Sequence, residues 1–184
     1  MKTTPLLLTA LIGASCGAAP QAPPASPATQ PAPSSSPASS SLPPDGDHAK
    51  ESLAKSPRHG EWVDVKMPDG TKLVTWVVYP EKREKAGTVI VIHEIFGLTD
   101  WVRGVADQLA KDGFIALAPD LLSGMGPNGG GTDSLGEDVG KTIRTLTPET
   151  VAARLDAVRA YALALPAANG KVGSVGFCWG GGAS

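Results

Sequence analysis

Lys171-Val172-Gly173-Ser174-Val175-Gly176 runs directly into Phe177-Cys178-Trp179-Gly180-Gly181-Gly182, and the fold turns on how these residues are read. The first six read as a strand, and Gly176 to Gly180 then gives Gly-x-Cys-x-Gly. This spacing suits a sharp turn from strand into helix, where side chains at either flanking position would collide. The residue between the glycines is held strained, with its side chain offered outward. Here that residue is Cys178. At the N-terminal end of a following helix, partial positive charge favours thiolate over thiol. A thiolate attacks acyl carbons readily. The N–H of Trp179, next in the chain, would face the developing oxyanion. The plainer alternative is a buried structural cysteine at a glycine-rich strand end.

The preceding chain supplies the context that separates these readings. Trp62-Val63-Asp64-Val65-Lys66 alternates apolar and polar residues, as a half-buried strand does. Pro68-Asp69-Gly70 reads as a turn and Leu73 to Tyr79 as a second strand, so the two form a hairpin. Thr88 to Ile92 is apolar on both faces, the pattern of a strand covered on both sides. Asp100 can cap a helix that presents Val102, Val105, Ala106 and Leu109 on one face. Phe114 to Ala118 is the next buried strand. Leu135, Val139 and Ile143 suggest a short helix. Thr147-Pro148-Glu149 opens a longer one, by a capping hydroxyl and a proline at the first helical position. Val151, Leu155, Val158 and Ala162 face one way along it. The fold class is therefore α/β: a hairpin, then parallel strands with flanking helices. Gly124 to Gly131 follows a loop and has no Lys-Ser or Lys-Thr pair after it, so it reads as flexible loop rather than phosphate site.

The chain has 184 residues, which suggests one domain. Residues 1–16 read as an export signal: Lys2, a short apolar run from Pro5 to Ile12, then Gly13-Ala14-Ser15 and Cys16. The run is too short to span a bilayer. Small residues before a cysteine resemble the lipid-attachment site of bacterial lipoproteins, although Gly13 stands where leucine is usual. Lipidation of Cys16, with membrane attachment through it, and ordinary cleavage beyond it both remain open. Either way the protein is exported, to the periplasm or outside the cell. Residues 17–46 hold nine of the 17 prolines and seven serines, with Asp45 as the only charge. Such composition cannot bury enough apolar surface to fold, and a disordered linker is expected over 17–57. The folded part is expected over 58–184. A net charge of −2 without a basic run argues against nucleic acid.

A second segment, Ile92-His93-Glu94-Ile95-Phe96-Gly97, closes the third strand. Glu94-Ile95-Phe96-Gly97 together with Gly176-Phe177-Cys178-Trp179-Gly180 resembles the dienelactone hydrolase family. Ala118-Pro119-Asp120-Leu121 and Asn169-Gly170-Lys171-Val172-Gly173 strengthen the likeness, which covers about His59 onward. The resemblance implies an α/β-hydrolase fold, N-terminal part only. It implies Cys178 as nucleophile, Glu94 as the carboxylate that helps deprotonate it, and the N–H groups of Ile95 and Trp179 as oxyanion donors. It implies an ester or lactone as substrate, cleaved through an acyl-enzyme, and neither metal nor organic cofactor. Arginines bind the substrate's carboxylate in that family, and Arg103 and Arg144 are not assigned to the task. His93 is expected to make a structural hydrogen bond to loop backbone, and Asp120 to fix the loop after the fourth strand. His48 and His59 are expected in solvent.

In this fold the acid and the histidine follow the nucleophile, and the six residues after Cys178 contain neither. The expectation is a chain cut near mid-domain. Two other readings stay open: a secreted binding module on the same scaffold, and a thiol that senses oxidant. Expressed alone, the 184-residue chain is expected to be insoluble or to show no steady esterase turnover. Sustained hydrolysis of a simple ester in a continuous assay would overturn that.

Overall fold

The computed structural model of the chain describes residues 42–184. The expected signal, Cys16 and most of the expected linker lie outside the described residues. Five strands form one mixed sheet in the order β1-β2-β4-β3-β5. They are β1 (Gly60–Lys66), β2 (Lys72–Val78), β3 (Ala86–Ile92), β4 (Ile115–Pro119) and β5 (Ala168–Gly176). The expected hairpin is present, with Trp62 opposite Trp76 and Val65 opposite Leu73. β2 also runs antiparallel to β4, whereas β3 lies parallel to both β4 and β5.

Period-two alternation divides the apolar side chains between the two faces. Ile90, Ile92, Ile115 and Leu117 point to one side, where α5 (Pro148–Ala164) brings Val151, Val158 and Ala162. Val91, Ala116 and Ala118 point to the other, where α2 (Asp100–Lys111) brings Val102, Val105 and Ala106. The handedness of crossovers explains this division. β3 to β4 steps one way across the sheet, and β4 to β5 steps back past β3. Right-handed connections in opposite directions put their helices on opposite faces. The direction reverses at β3, so the crevice beside the C-terminal ends of β3 and β5 is a topological switch point, where open α/β sheets bind ligands.

The structure alters three expectations. First, α1 (Ala49–Lys55) lies inside the stretch 17–57 expected to be disordered. Seven residues form a marginal helix in water, so the reason for it is docking. Ala49 is fully buried, and a Cβ at Gly104 of α2 would come 3.0 Å from Pro44 Cγ. Arg58 clamps the exit of this segment, with Nε 2.9 Å and Nη2 2.5 Å from the two carboxylate oxygens of Asp107 on α2. Ser56 Oγ donates to the same carboxylate at 2.6 Å. Second, Thr99 rather than Asp100 caps α2, its hydroxyl accepting from Val102 N. Asp100 pairs instead with Arg103. Third, the glycine-rich loop is bonded internally: Gly126 N donates to Gly130 O at 2.8 Å and Gly130 N to Pro127 O at 3.0 Å. Beyond it lie α3 (Thr132–Leu135) and α4 (Val139–Ile143), where Val139 and Ile143 pack with Leu122.

Asp107→Ala should strand the Arg58 guanidinium, whose side chain is only 11% exposed. The expected loss is about 2 kcal/mol, between the values for exposed and buried pairs. The urea midpoint reads it, and an unchanged midpoint would mean that apolar packing alone docks the segment.

Candidate active site

The elbow takes the geometry that its glycines predict. Cys178 has φ 50° and ψ −112°, a left-handed backbone rare outside glycine. It opens α6 (Trp179–Ala183). A Cβ at Gly176 would overlap the carbonyl of Gly180, and one at Gly180 would come 2.5 Å from His93 O and 2.6 Å from Ile92 O. Both flanking positions therefore exclude any side chain. The thiol of Cys178 is free and exposed, so the buried structural cysteine does not describe it.

Pairing register brings the two quoted segments together. Ile92 of β3 pairs with Gly176 of β5, and Phe177 N donates to Ile92 O at 3.3 Å. Glu94 and Cys178 each lie two residues beyond that pair, at the ends of neighbouring strands beside the switch point. Glu94 is partly buried, and burial raises its pKa above the ordinary carboxylate value. An open cleft of 570 Å³ adjoins it, lined by Gly46, Glu94, Phe96, Thr99, Asp100 and Trp101. Trp101 meets the Phe177 ring edge-on at 5.0 Å, which links the cleft to the residue before Cys178. The backbone N–H groups of Ile95 and Trp179 have no acceptor among the described residues.

Two polar side chains anchor the loop that carries Glu94. His93 is fully buried, with Nδ1 2.9 Å from Glu94 O and Nε2 accepting from Leu121 N at 3.1 Å. This agrees with the expected structural role. Asp120 accepts from Leu122 N at 3.0 Å, and from Thr132 N and Thr132 Oγ1 at 2.7 Å each. It fixes the loop after β4, as expected. Thr132 was not singled out in the sequence. Its hydroxyl also accepts from Leu98 N at 3.0 Å, tying the loop after β3 to the loop after β4. Gly97 makes this tie possible: its φ is 79°, and a Cβ there would overlap Thr132 Oγ1.

The remaining candidates lie elsewhere. Arg103 sits over the Trp62 and Trp76 rings at 5.2 and 5.6 Å. Arg144 donates to Gly140 O within its own turn. His48 and His59 are exposed, the first bonded to Asp45 and the second stacked on Tyr79. Among the described residues, no group of three or more His, Cys, Asp or Glu side chains could hold a metal ion. No described helix is long and apolar enough to cross a membrane.

A model of the dienelactone hydrolase family matches residues 73–184. The chain is similar to carboxymethylenebutenolidase of Pseudomonas putida, 31% identical over 127 residues, covering 66% of this chain and 52% of that protein. It is similar to carboxymethylenebutenolidase 1 of Cupriavidus pinatubonensis, 34% identical over 122 residues, covering 65% of this chain and 52% of that protein. In fold it is similar to the crystal structure of dienelactone hydrolase from Anabaena variabilis, with TM-score 0.52 and 24% identity, covering 68% of this chain and 55% of that one. The chain spans 39 to 52% of the length of the first curated relatives that it matches.

Gly97→Ala should cost about 2 kcal/mol, because a left-handed backbone and an occupied Cβ position are both strained. Urea unfolding measures it, and a loss within about 0.5 kcal/mol, as at an ordinary surface site, would mean that the Leu98–Thr132 contact gives way freely.

Proposed function

Because the chain belongs to the dienelactone hydrolase family, we propose that it carries the acylating half of a hydrolase for carboxylic esters or lactones. Cys178 is the nucleophile. Glu94 takes its proton as the sulfur attacks the acyl carbon, and the N–H groups of Ile95 and Trp179 receive the oxyanion. Collapse of the tetrahedral intermediate expels the alkoxide or enolate and leaves a thioester on Cys178. Hydrolysis of that thioester needs a base to activate water, a task that falls to histidine in this fold. The proposal for these 184 residues covers acylation. It extends to export, with Cys16 as a lipid-attachment residue, on the strength of the signal-like run from Lys2 to Ser15.

One observation carries the reading. The Ile92–Gly176 register puts the strand ends that lead to Glu94 and Cys178 next to each other at the crevice between β3 and β5, which supports pairing the two in one reaction. A raised carboxyl pKa suits a base that must accept a proton near neutral pH. The cleft beside Glu94 offers Phe96 and Trp101 to an apolar acyl group.

The test is transfer of acetyl from p-nitrophenyl acetate to the refolded chain, followed by intact and peptide mass spectrometry. One acetyl group is expected on Cys178 and none after Cys178→Ala. Glu94→Gln should slow transfer about a hundredfold or more. The Glu94-dependent part of the rate should rise with pH through a midpoint above 4.5, since only the carboxylate accepts the proton. Equal labelling of Cys178→Ala, or an unchanged rate in Glu94→Gln, would refute the assignment.

A further inference from the structure

His93 is the only buried one of the chain's three histidines, and the reaction just proposed does not use it. Its hydrogen bonds fix its protonation. Leu121 N–H can only donate, so Nε2, 3.1 Å away, must accept and be bare. The ring proton therefore sits on Nδ1, which donates to Glu94 O at 2.9 Å. Burial holds the ring neutral by lowering its pKa, against smaller opposing effects of the Glu94 carbonyl and the Asp120 charge.

The carbonyl of Glu94 and the N–H of Ile95 belong to one planar peptide group. In a trans peptide they point in opposite directions, and no peptide bond among the described residues is cis. The Glu94 carbonyl accepts from His93 Nδ1 and also from Gly97 N at 3.1 Å. With the oxygen held twice, the peptide cannot rotate, and the Ile95 N–H is held pointing away from both donors. The same imidazole lies nearly parallel to the Trp179 ring, with centroids 5.8 Å apart and planes at 16°. Trp179 supplies the other N–H of the proposed oxyanion site. One ring thus touches the residues on which both donors depend, one by hydrogen bond and one by stacking.

We propose that His93 is a positioning residue that aligns the two oxyanion-binding N–H groups, acting on Ile95 through the Glu94 carbonyl and on Trp179 through its ring face. The inference rests on the acyl-transfer reading of Cys178. Arg154 extends the support, its Nη1 donating to the carbonyl of Leu121 at 2.5 Å, so the residue that fixes the tautomer is itself held.

Two reactions of the same sulfur separate positioning from general structure. Acetyl transfer from p-nitrophenyl acetate develops an oxyanion, whereas alkylation by iodoacetamide does not. His93→Phe keeps a ring against Trp179 but loses both hydrogen bonds. It should slow acetyl transfer about tenfold to a hundredfold, less than deletion of a donor outright, with alkylation within about twofold of wild type. His93→Asn, whose amide N–H can take the place of Nδ1–H, should recover most of the acetyl-transfer rate. Nitrogen NMR of the wild-type imidazole should show the neutral ring protonated at Nδ1 at pH 7; this readout needs no variant to fold. Wild-type acetyl transfer in His93→Phe, parallel loss of both reactions, no recovery in Asn, or an Nε2–H ring would each overturn the role of His93 alone. A wild-type Cys178 that takes iodoacetamide but no acetyl group would overturn the acyl-transfer reading, and this inference with it.

Discussion

The backbone of Gly180 lies so close to the carbonyls of Ile92 and His93 that no Cβ fits between them. That approach fixes where α6 starts against the end of β3, and much at this edge of the sheet depends on it. With α6 seated there, the chain can leave β5 only through the left-handed turn at Cys178. The turn carries the thiol outward and lays Trp179 along the buried His93 ring. A close contact between two backbones therefore sets both the exposure of the Cys178 thiol and the stacking of Trp179 on His93. The strain at Cys178 is of a kind that persists only where its surroundings over-determine it. Here those surroundings are two strands in register and a helix pressed onto their ends.

Much of this architecture was legible in the residues. The alternation of Trp62 to Lys66 and the unbroken apolar run of Thr88 to Ile92 distinguish a half-covered strand from a fully covered one, and the sheet has them so. The order of strands was not legible. β2 pairs antiparallel with β4 rather than with its sequence neighbour β3, a choice made by packing of whole elements and not by local pattern. The helix Ala49–Lys55 was hidden for a related reason. Its sequence is an unexceptional helix former next to a proline-rich run. What makes it fold is a flat place on α2 at Gly104, visible only in three dimensions. Thr99 and Asp100 are both good capping residues, and only the observed geometry decides between them.

The candidate site divides along the same line. Glu94 and Cys178 stand in short motifs whose spacing has a mechanical cause, so the sequence points to them. Their placement at neighbouring strand ends follows from the pairing of β3 with β5; the alternating strand and helix pattern pointed to parallel strands but not to which of them are neighbours. Of the anchors behind them, His93 and Asp120 were expected in structural roles, but their distant partners, and Thr132 altogether, left no such signal. Leu121, whose N–H bonds His93 Nε2, is 28 residues away in the chain, and Thr132 reaches back 34 residues to Leu98. Neither distance corresponds to a turn or a helical repeat. Thr132 also borders a glycine-rich stretch that reads as loop, and its value lies in one hydroxyl that donates to Asp120 while accepting from Leu98.

The clasp of Arg58 on Asp107 also has a mechanical meaning. β1 is an edge strand held to the sheet by β2 alone, and a pull on its first residue would peel it bond by bond. The chain does not enter β1 freely. Just before it, Ser56 and Arg58 are fastened to the side of α2, a helix packed across the sheet. Tension arriving from the residues before Ala49 is therefore diverted into α2 and shared by several bonds at once. The edge strand is relieved of load, and the domain tolerates a pull applied ahead of Ala49 better than its five-strand topology alone would allow.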